Sequence, residues 1–224
     1  MKKRPPNKLQ KPQNDPRRIG CVTASEGAAG LLKTKTGKPP STRKKYAHRL
    51  AEDRVKRKIT QKWREDDDKD SDLPRAPYIV RRGRILEPMA LQIAETLLDI
   101  KITDVNFELH PTIEYFGASP DGICDDMLVE VKAQTGGSHS MTRNEQVIPD
   151  NYQFQMLLQL ACWRHKGYKK VMFISIDDEF PRMDQQVGIA YYEPPEKEIL
   201  ATENDVREFL KEIKSIEDEL RKIK

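Results

Sequence analysis

Between residues 82 and 100 the apolar positions Ile85, Leu86, Met89, Ile93, Leu97 and Leu98 recur at three- and four-residue steps, which predicts a helix with one buried face. Glu87 lies at the edge of that stripe, and Pro88 behind it marks a second candidate start for the helix. Residues 127–133 follow a different rule. There Leu128, Glu130 and Lys132 alternate with Val129 and Val131, so a strand would send the first three to one face and the valines to the other. Further strands are predicted at 105–109, 112–116, 169–176 and 186–192. A helix at about 150–166 carries Phe154, Leu157, Leu158, Ala161 and Cys162. A charged helix from about Thr42 to Ile59 has only a thin stripe of Tyr46, Leu50 and Val55. The last helix, from about Glu203 to Ile223, aligns Val206, Leu210, Ile213, Leu220 and Ile223; it packs on the parent domain or pairs with a second copy, with a stripe short for a coiled coil. Upstream, residues 18–32 read as an extended piece entering a helix, with Ser25 at an N-cap position and Ala28, Leu31 and Leu32 following. The order helix, three strands, helix, two strands predicts an α/β sandwich around one mixed sheet.

Composition narrows this. With 37% hydrophobic and 34% charged residues in 224, the core must come from a few dense segments of one domain with extensions. The net charge of +4 is too small to establish a polyanionic partner, but Lys and Arg crowd the first 64 residues. Residues 1–16, basic and proline-rich, are predicted to be a disordered arm, either a solubilising tail or a DNA contact. Residues 64–77 are acidic and bounded by prolines, which predicts a mobile loop. Residues 17–224 then form the single folded domain. Three cysteines without metal-ligand spacing read as reduced thiols. No apolar leader or span-length apolar run is present, so a soluble, cytoplasmic protein is expected.

The chemistry concentrates at residues 119–132, Ser-Pro-Asp-Gly-Ile-Cys-Asp-Asp-Met-Leu-Val-Glu-Val-Lys. Asp121 follows a proline and precedes Gly122 in a turn. Beyond a short hairpin, Glu130 and Lys132 share one face of a valine-rich strand. Two carboxylates brought close favour a cation between them, and a neighbouring ammonium can hold a water beside it. The plainer alternative is a structural salt bridge between Glu130 and Lys132. Acid-x-Lys triplets also occur at Asp67-Asp68-Lys69 and Glu212-Ile213-Lys214, so the triplet alone decides nothing.

The assembly resembles the PD-(D/E)xK nuclease core, and the wider chain resembles the lambda exonuclease (YqaJ-type) family of viral recombination exonucleases. Four blocks carry the resemblance in family order: Arg18 to Ser25 (Arg-Ile-Gly-Cys-Val-Thr-Ala-Ser), Arg82 to Glu87, Ala118 to Gly122 with Glu130-Val131-Lys132, and Tyr152-Gln153-Phe154-Gln155. It implies a restriction-endonuclease-like core, a central mixed β-sheet flanked by helices. It further implies that Asp121, Glu130 and the Val131 carbonyl bind Mg²⁺, with Mn²⁺ as a substitute, and that Glu87 completes the acidic cluster. Lys132 would orient or deprotonate the attacking water, and Gln155 would contact that water or the lysine. Gln159, one turn later, reads as ordinary helix surface. Arg18 and Ser25 resemble the family's pocket for a 5′-terminal phosphate, and Val80 stands roughly where members place an apolar wedge. The implied activity is a 5′→3′ exonuclease that degrades one strand of linear duplex DNA and leaves a 3′ single strand for recombination. An endonuclease or repair nuclease of the same superfamily is the alternative. Implied partners are duplex DNA ends, a single-strand annealing protein and two further copies of the chain in a homotrimer. The pattern departs from the family at Pro111, where some relatives have an acid, and after Lys132, where a nearby arginine is missing.

Overall fold

The computed structural model describes residues 15–63 and 74–222; most of the predicted basic arm and residues 64–73 of the predicted acidic loop lie outside them. After a 3₁₀ turn at Pro16–Arg18 come β1 (Val22–Thr23), α1 (Ala28–Leu31), α2 (Arg43–Lys56), α3 (Tyr78–Leu98), β2 (Glu108–Leu109), β3 (Phe116–Ala118), β4 (Gly122–Cys124) and β5 (Met127–Ala133). The second half adds α4 (Gly137–Glu145), α5 (Asp150–Trp163), β6 (Lys170–Ile176), α6 (Met183–Gln186), β7 (Val187–Tyr192) and α7 (Glu196–Lys222).

Among the described residues the strands form two mixed sheets rather than the single one expected, ordered β4-β5-β6-β7 and β1-β3-β2. In the larger, β4 and β5 form a hairpin, β5 and β6 run parallel, and β7 returns antiparallel to β6. In the smaller, β3 pairs parallel with β1 and antiparallel with β2. The strand predicted at 112–116 is displaced to Phe116–Ala118. The reason is local: Nδ1 of His110 accepts the N–H groups of Thr112 and Ile113, which folds those residues into a turn, and Tyr115 lies in the left-handed region at φ 60°.

The alternation on β5 sorts two hydrophobic layers. Leu128 faces a core built with α2, α5, α7 and the smaller sheet, while Val129 and Val131 face a second core shared with α3. Glu130 and Lys132 alternate in phase with Leu128, so they belong to the α5 side. The buried face of α3 differs from the predicted one: Leu86, Ala90, Leu91, Ile93 and Ala94 are inside, whereas Ile85 is 73% exposed and Leu97 and Leu98 lie at the surface. Small alanines let the helix backbone approach the sheet, and that advantage outweighs the greater hydrophobicity of Ile85. The helix also starts earlier than expected, directly after Pro77, and runs on through Pro88. The final helix likewise begins early, at Glu196 after the Pro194-Pro195 pair. On α5, Trp163 donates its indole N–H to the Ala118 carbonyl at 3.4 Å, tying that helix to the smaller sheet.

Candidate active site

The β4–β5 hairpin turns at Asp125-Asp126, with Asp125 in the left-handed region at φ 50°. Beyond its open end the ladder continues, since the Asp121 N–H bonds the Val129 carbonyl at 2.9 Å. That bond carries the Asp121 side chain across to β5, where its Oδ2 accepts the Val131 N–H at 2.7 Å. Gly122 permits this path: a Cβ there would lie 2.5 Å from Cγ2 of Ile102.

Glu130 sits at the centre, only 1% exposed. Its Oε1 accepts from the Lys132 ammonium and from the Gln155 amide at 2.6 Å. Its Oε2 accepts from the Gln159 amide at 2.5 Å. Lys132 Nζ lies 5.6 Å from the Tyr152 ring centre, so α5 contributes three side chains to the β5 face. Burial and the negative charges of Glu130 and Glu87 push the Asp121 carboxyl well above its ordinary range, and these outweigh the Lys132 ammonium and the Val131 N–H. Burial opposes the charge on Lys132, but the Glu130 and Asp121 carboxylates win and hold the ammonium above its ordinary value. Glu87, half-buried on α3, therefore feels the same cluster through its field on Asp121.

The structure thus gathers Asp121, Glu130, Lys132, Gln155 and the Val131 backbone, with Glu87 close by. Gln155 bonds Glu130, where the resemblance implies the attacking water or Lys132 as its partner. Among the described residues no group of three or more His, Cys, Asp or Glu side chains forms a metal cage by itself. Arg18 and Ser25 have other partners. Arg18 stacks its guanidinium on Phe107, 4.6 Å from the ring centre, and burial holds its pKa below the ordinary arginine value. Ser25 is exposed, with Oγ 3.5 Å from the Thr23 hydroxyl. It is not an N-cap: α1 is a single turn preceded by Gly27, and no side chain caps it. The carbonyl of Thr23 instead accepts the N–H groups of Glu26 and Gly27, which makes a turn where the cap was expected. Beside it Glu26 takes Arg49 and Lys62, each at 2.6 Å. Val80 is half-buried in the first turn of α3, next to the exposed Tyr78 and Ile79.

Residues 16–166, about two thirds of the chain, match the YqaJ-like viral recombinase domain. The chain belongs to that family. Membership supports a nuclease that serves recombination, with a PD-(D/E)xK-like fold of mixed sheets flanked by helices. The chain is similar to the alkaline exonuclease LHK-Exo from Laribacter hongkongensis: 29% identical over 91% of this chain and 93% of that one, with a TM-score of 0.74. The structure of LHK-Exo in complex with dAMP gives a TM-score of 0.75 at the same identity, covering 92% of this chain and 94% of the other. A phage-related exonuclease from Haemophilus somnus 129PT shares the fold at 12% identity, with a TM-score of 0.62 over 89% of this chain and 94% of that one. No curated protein matches.

Within this YqaJ-like frame, Gln159 is not the ordinary helix surface expected from the sequence: it is 1% exposed and bonded to Glu130. The signal was its spacing. At four residues from Gln155 it must share that residue's helix face. No helix among the described residues is long and apolar enough to cross a membrane.

Proposed function

We propose that the chain is a divalent-metal-dependent 5′→3′ exonuclease acting on linear duplex DNA from a 5′-phosphorylated end. The observation that carries this reading is the meeting of two acids at β5: Asp121 bonded to the Val131 N–H and Glu130 bonded to the Lys132 ammonium, with Glu87 of α3 adding its field. Burial first, and then the charges of Glu130 and Glu87, hold the Asp121 carboxyl up, and a cation bound beside it would favour the carboxylate. The donors fit a hard cation, since all are oxygens. Mg²⁺ is commonly held by one or two carboxylates while keeping several waters, so two acids and the Val131 carbonyl suffice, with Glu87 near for a second ion. Bound there, Mg²⁺ or Mn²⁺ would supply Lewis-acid polarisation of the scissile phosphate.

The protein's own groups do the rest. Val131 fixes one Asp121 oxygen through its N–H, which leaves the other as the ligand. Gln155 steadies Glu130. Lys132, held charged by two carboxylates, acts as a donor that orients the attacking water and stabilises charge on the phosphate, not as the resting base. Attack at phosphorus with loss of the 3′-oxygen releases a 5′-mononucleotide. It also leaves a new 5′-phosphate on the shortened strand, so each cut makes the substrate for the next. The complex of LHK-Exo with dAMP, a mononucleotide, supports this product class. Arg18 is proposed to bind the terminal phosphate in bidentate fashion, with the Ser25 hydroxyl beside it. Residues 17–224 are proposed as one nuclease domain, assembling as a homotrimer and handing its 3′ strand to a single-strand annealing protein.

A linear duplex with one 5′-phosphate and one 5′-hydroxyl end, digested with and without Mg²⁺, tests the reading. We expect Mg²⁺-dependent loss of the 5′-phosphorylated strand to mononucleotides. Cuts in covalently closed circles would favour an endonuclease instead, and indifference to the 5′ group would remove the role of Arg18 and Ser25.

A further inference from the structure

Gln159 lies on α5 in a stretch whose neighbours Leu158, Leu160, Ala161 and Cys162 are all buried and apolar. A leucine would fill such a place without needing a polar partner. The glutamine instead makes one hydrogen bond, from Nε2 to Oε2 of Glu130 at 2.5 Å. Its own carbonyl oxygen, Oε1, is buried and finds no donor among the described residues. A buried acceptor without a partner is unfavourable, so the amide weakens local packing in return for a single contact. That contact falls on the oxygen of Glu130 that Lys132 and Gln155 leave open.

We propose that Gln159 is a positioning residue for Glu130. Gln155 and Gln159, one helical turn apart, clamp the two oxygens of the carboxylate from one rigid face of α5, so that Glu130 meets a divalent cation in a single orientation. Without Gln159 both remaining partners of the carboxylate, Lys132 and Gln155, meet it at Oε1, and its plane could turn about the terminal torsion, a broad and soft rotation. The inference rests on the reading of Glu130 as a cation ligand given above. It adds a residue and a role: Gln159 sets affinity for the ion without touching ion or DNA.

The test is Mn²⁺ binding to the full chain, followed by the paramagnetic resonance of free Mn²⁺, with thermal melting in the absence of metal. Gln159→Leu removes both the amide contact and the orphan oxygen. Its dissociation constant for Mn²⁺ should rise about 10- to 100-fold, while its metal-free melting temperature stays level or rises. Gln159→Met, longer and more adaptable, should behave alike and decides the matter if the leucine variant does not fold. Unchanged Mn²⁺ affinity in a folded variant overturns the clamp. So does failure of both variants to fold, since the glutamine would then serve the core. If the unaltered protein binds no Mn²⁺, or if Glu130→Gln binds it as well as the unaltered protein does, the reading of the site itself falls and takes the clamp with it. Binding by the unaltered protein, matched by both Gln159 variants, sinks the clamp alone.

Discussion

Glu130 and Glu203 are both buried acids, 1% and 4% exposed, and their company is opposite. On α7, Glu203 meets two guanidiniums, Arg164 at 2.9 Å and Arg207 at 3.5 Å, and the His110 ring at 3.9 Å, whose protonation burial disfavours. Its hydrogen bond holds the Arg164 guanidinium more firmly charged. On β5, Glu130 has a single ammonium and two neutral amides, with Asp121 and Glu87 adding negative charge nearby. The first cluster is complete inside the protein. The second sets two further acids beside a Glu130 that has one ammonium, which is the setting that favours a proton or a bound cation. Burial of an acid therefore says little about function, whereas the sign of the charge left over in its surroundings says a good deal.

The sharpest way to break this comparison is to neutralise each cluster in turn. Lys132→Ala and Glu130→Gln should lower strand degradation by about 10²- to 10⁴-fold, the usual range for a group handling protons or charge in the reaction. Binding to duplex ends should persist in both. Chelation of divalent ions should abolish degradation by the unaltered protein. Glu203→Gln should leave the rate per folded molecule unchanged, as read in the same strand-resolved digestion. A large loss of rate from Glu203→Gln, or none from Lys132→Ala, would erase the distinction.

Stability should show the reverse pattern at a smaller scale. Glu203→Ala leaves two guanidiniums without their shared acceptor, and a cost of about 1–3 kcal/mol is expected for such a loss. Arg164 and Arg207 are both about a third or more exposed and recover water, which places the effect toward the lower end. For a chain of this size each kcal/mol moves the melting temperature by about 2–4 °C. Calorimetry of the metal-free protein reads the shift directly. A melting temperature equal to that of the unaltered protein would show that the α7 cluster is decorative.

The two clusters were not equally legible in the sequence. The β5 strand was, because a period of two in Leu128, Glu130 and Lys132 against Val129 and Val131 is the same pattern that splits the two cores. The Gln159 clamp was not, although its spacing from Gln155 was plain. Periodicity assigns a residue to a face but not to a depth, and α5 is buried nearly all round. Depth also misled on α3, where Ile85 outranks Ala90 in hydrophobicity yet stands in solvent while the alanine meets the sheet. Helix α4 left no stripe to find in Gly-Ser-His-Ser-Met-Thr-Arg-Asn-Glu. It is held by particular bonds: His139 Nδ1 to the Ser175 hydroxyl at 2.8 Å, and the Thr142 hydroxyl to the Val147 carbonyl at 2.8 Å. Of the partners of Glu203, Arg207 is an i,i+4 neighbour, but Arg164 and His110 lie 39 and 93 residues away in the chain, so no local pattern announces those two.

The smallest expected effect reads the burial of Asp121 together with the acids beside it. With its carboxyl raised above the ordinary range, folded Asp121 keeps a proton that the unfolded chain gives up near pH 4. The folded state then binds more protons than the unfolded state, so the sign of the linkage is fixed: stability from this group is fully present below the unfolded value and is lost as pH rises through the folded one. One proton contributes at most about 1.4 kcal/mol per pH unit. Asp121→Asn carries no such proton. In metal-free melts from acid toward neutral pH, the unaltered protein should lose ground to Asp121→Asn, and the difference between the two curves isolates this group from the rest. Saturating Mg²⁺ should close the gap from the other side, since an ion bound only by the folded state stabilises it by mass action. Parallel curves without metal would mean that Lys132 already balances the site, and the contrast between Glu130 and Glu203 would lose its physical basis.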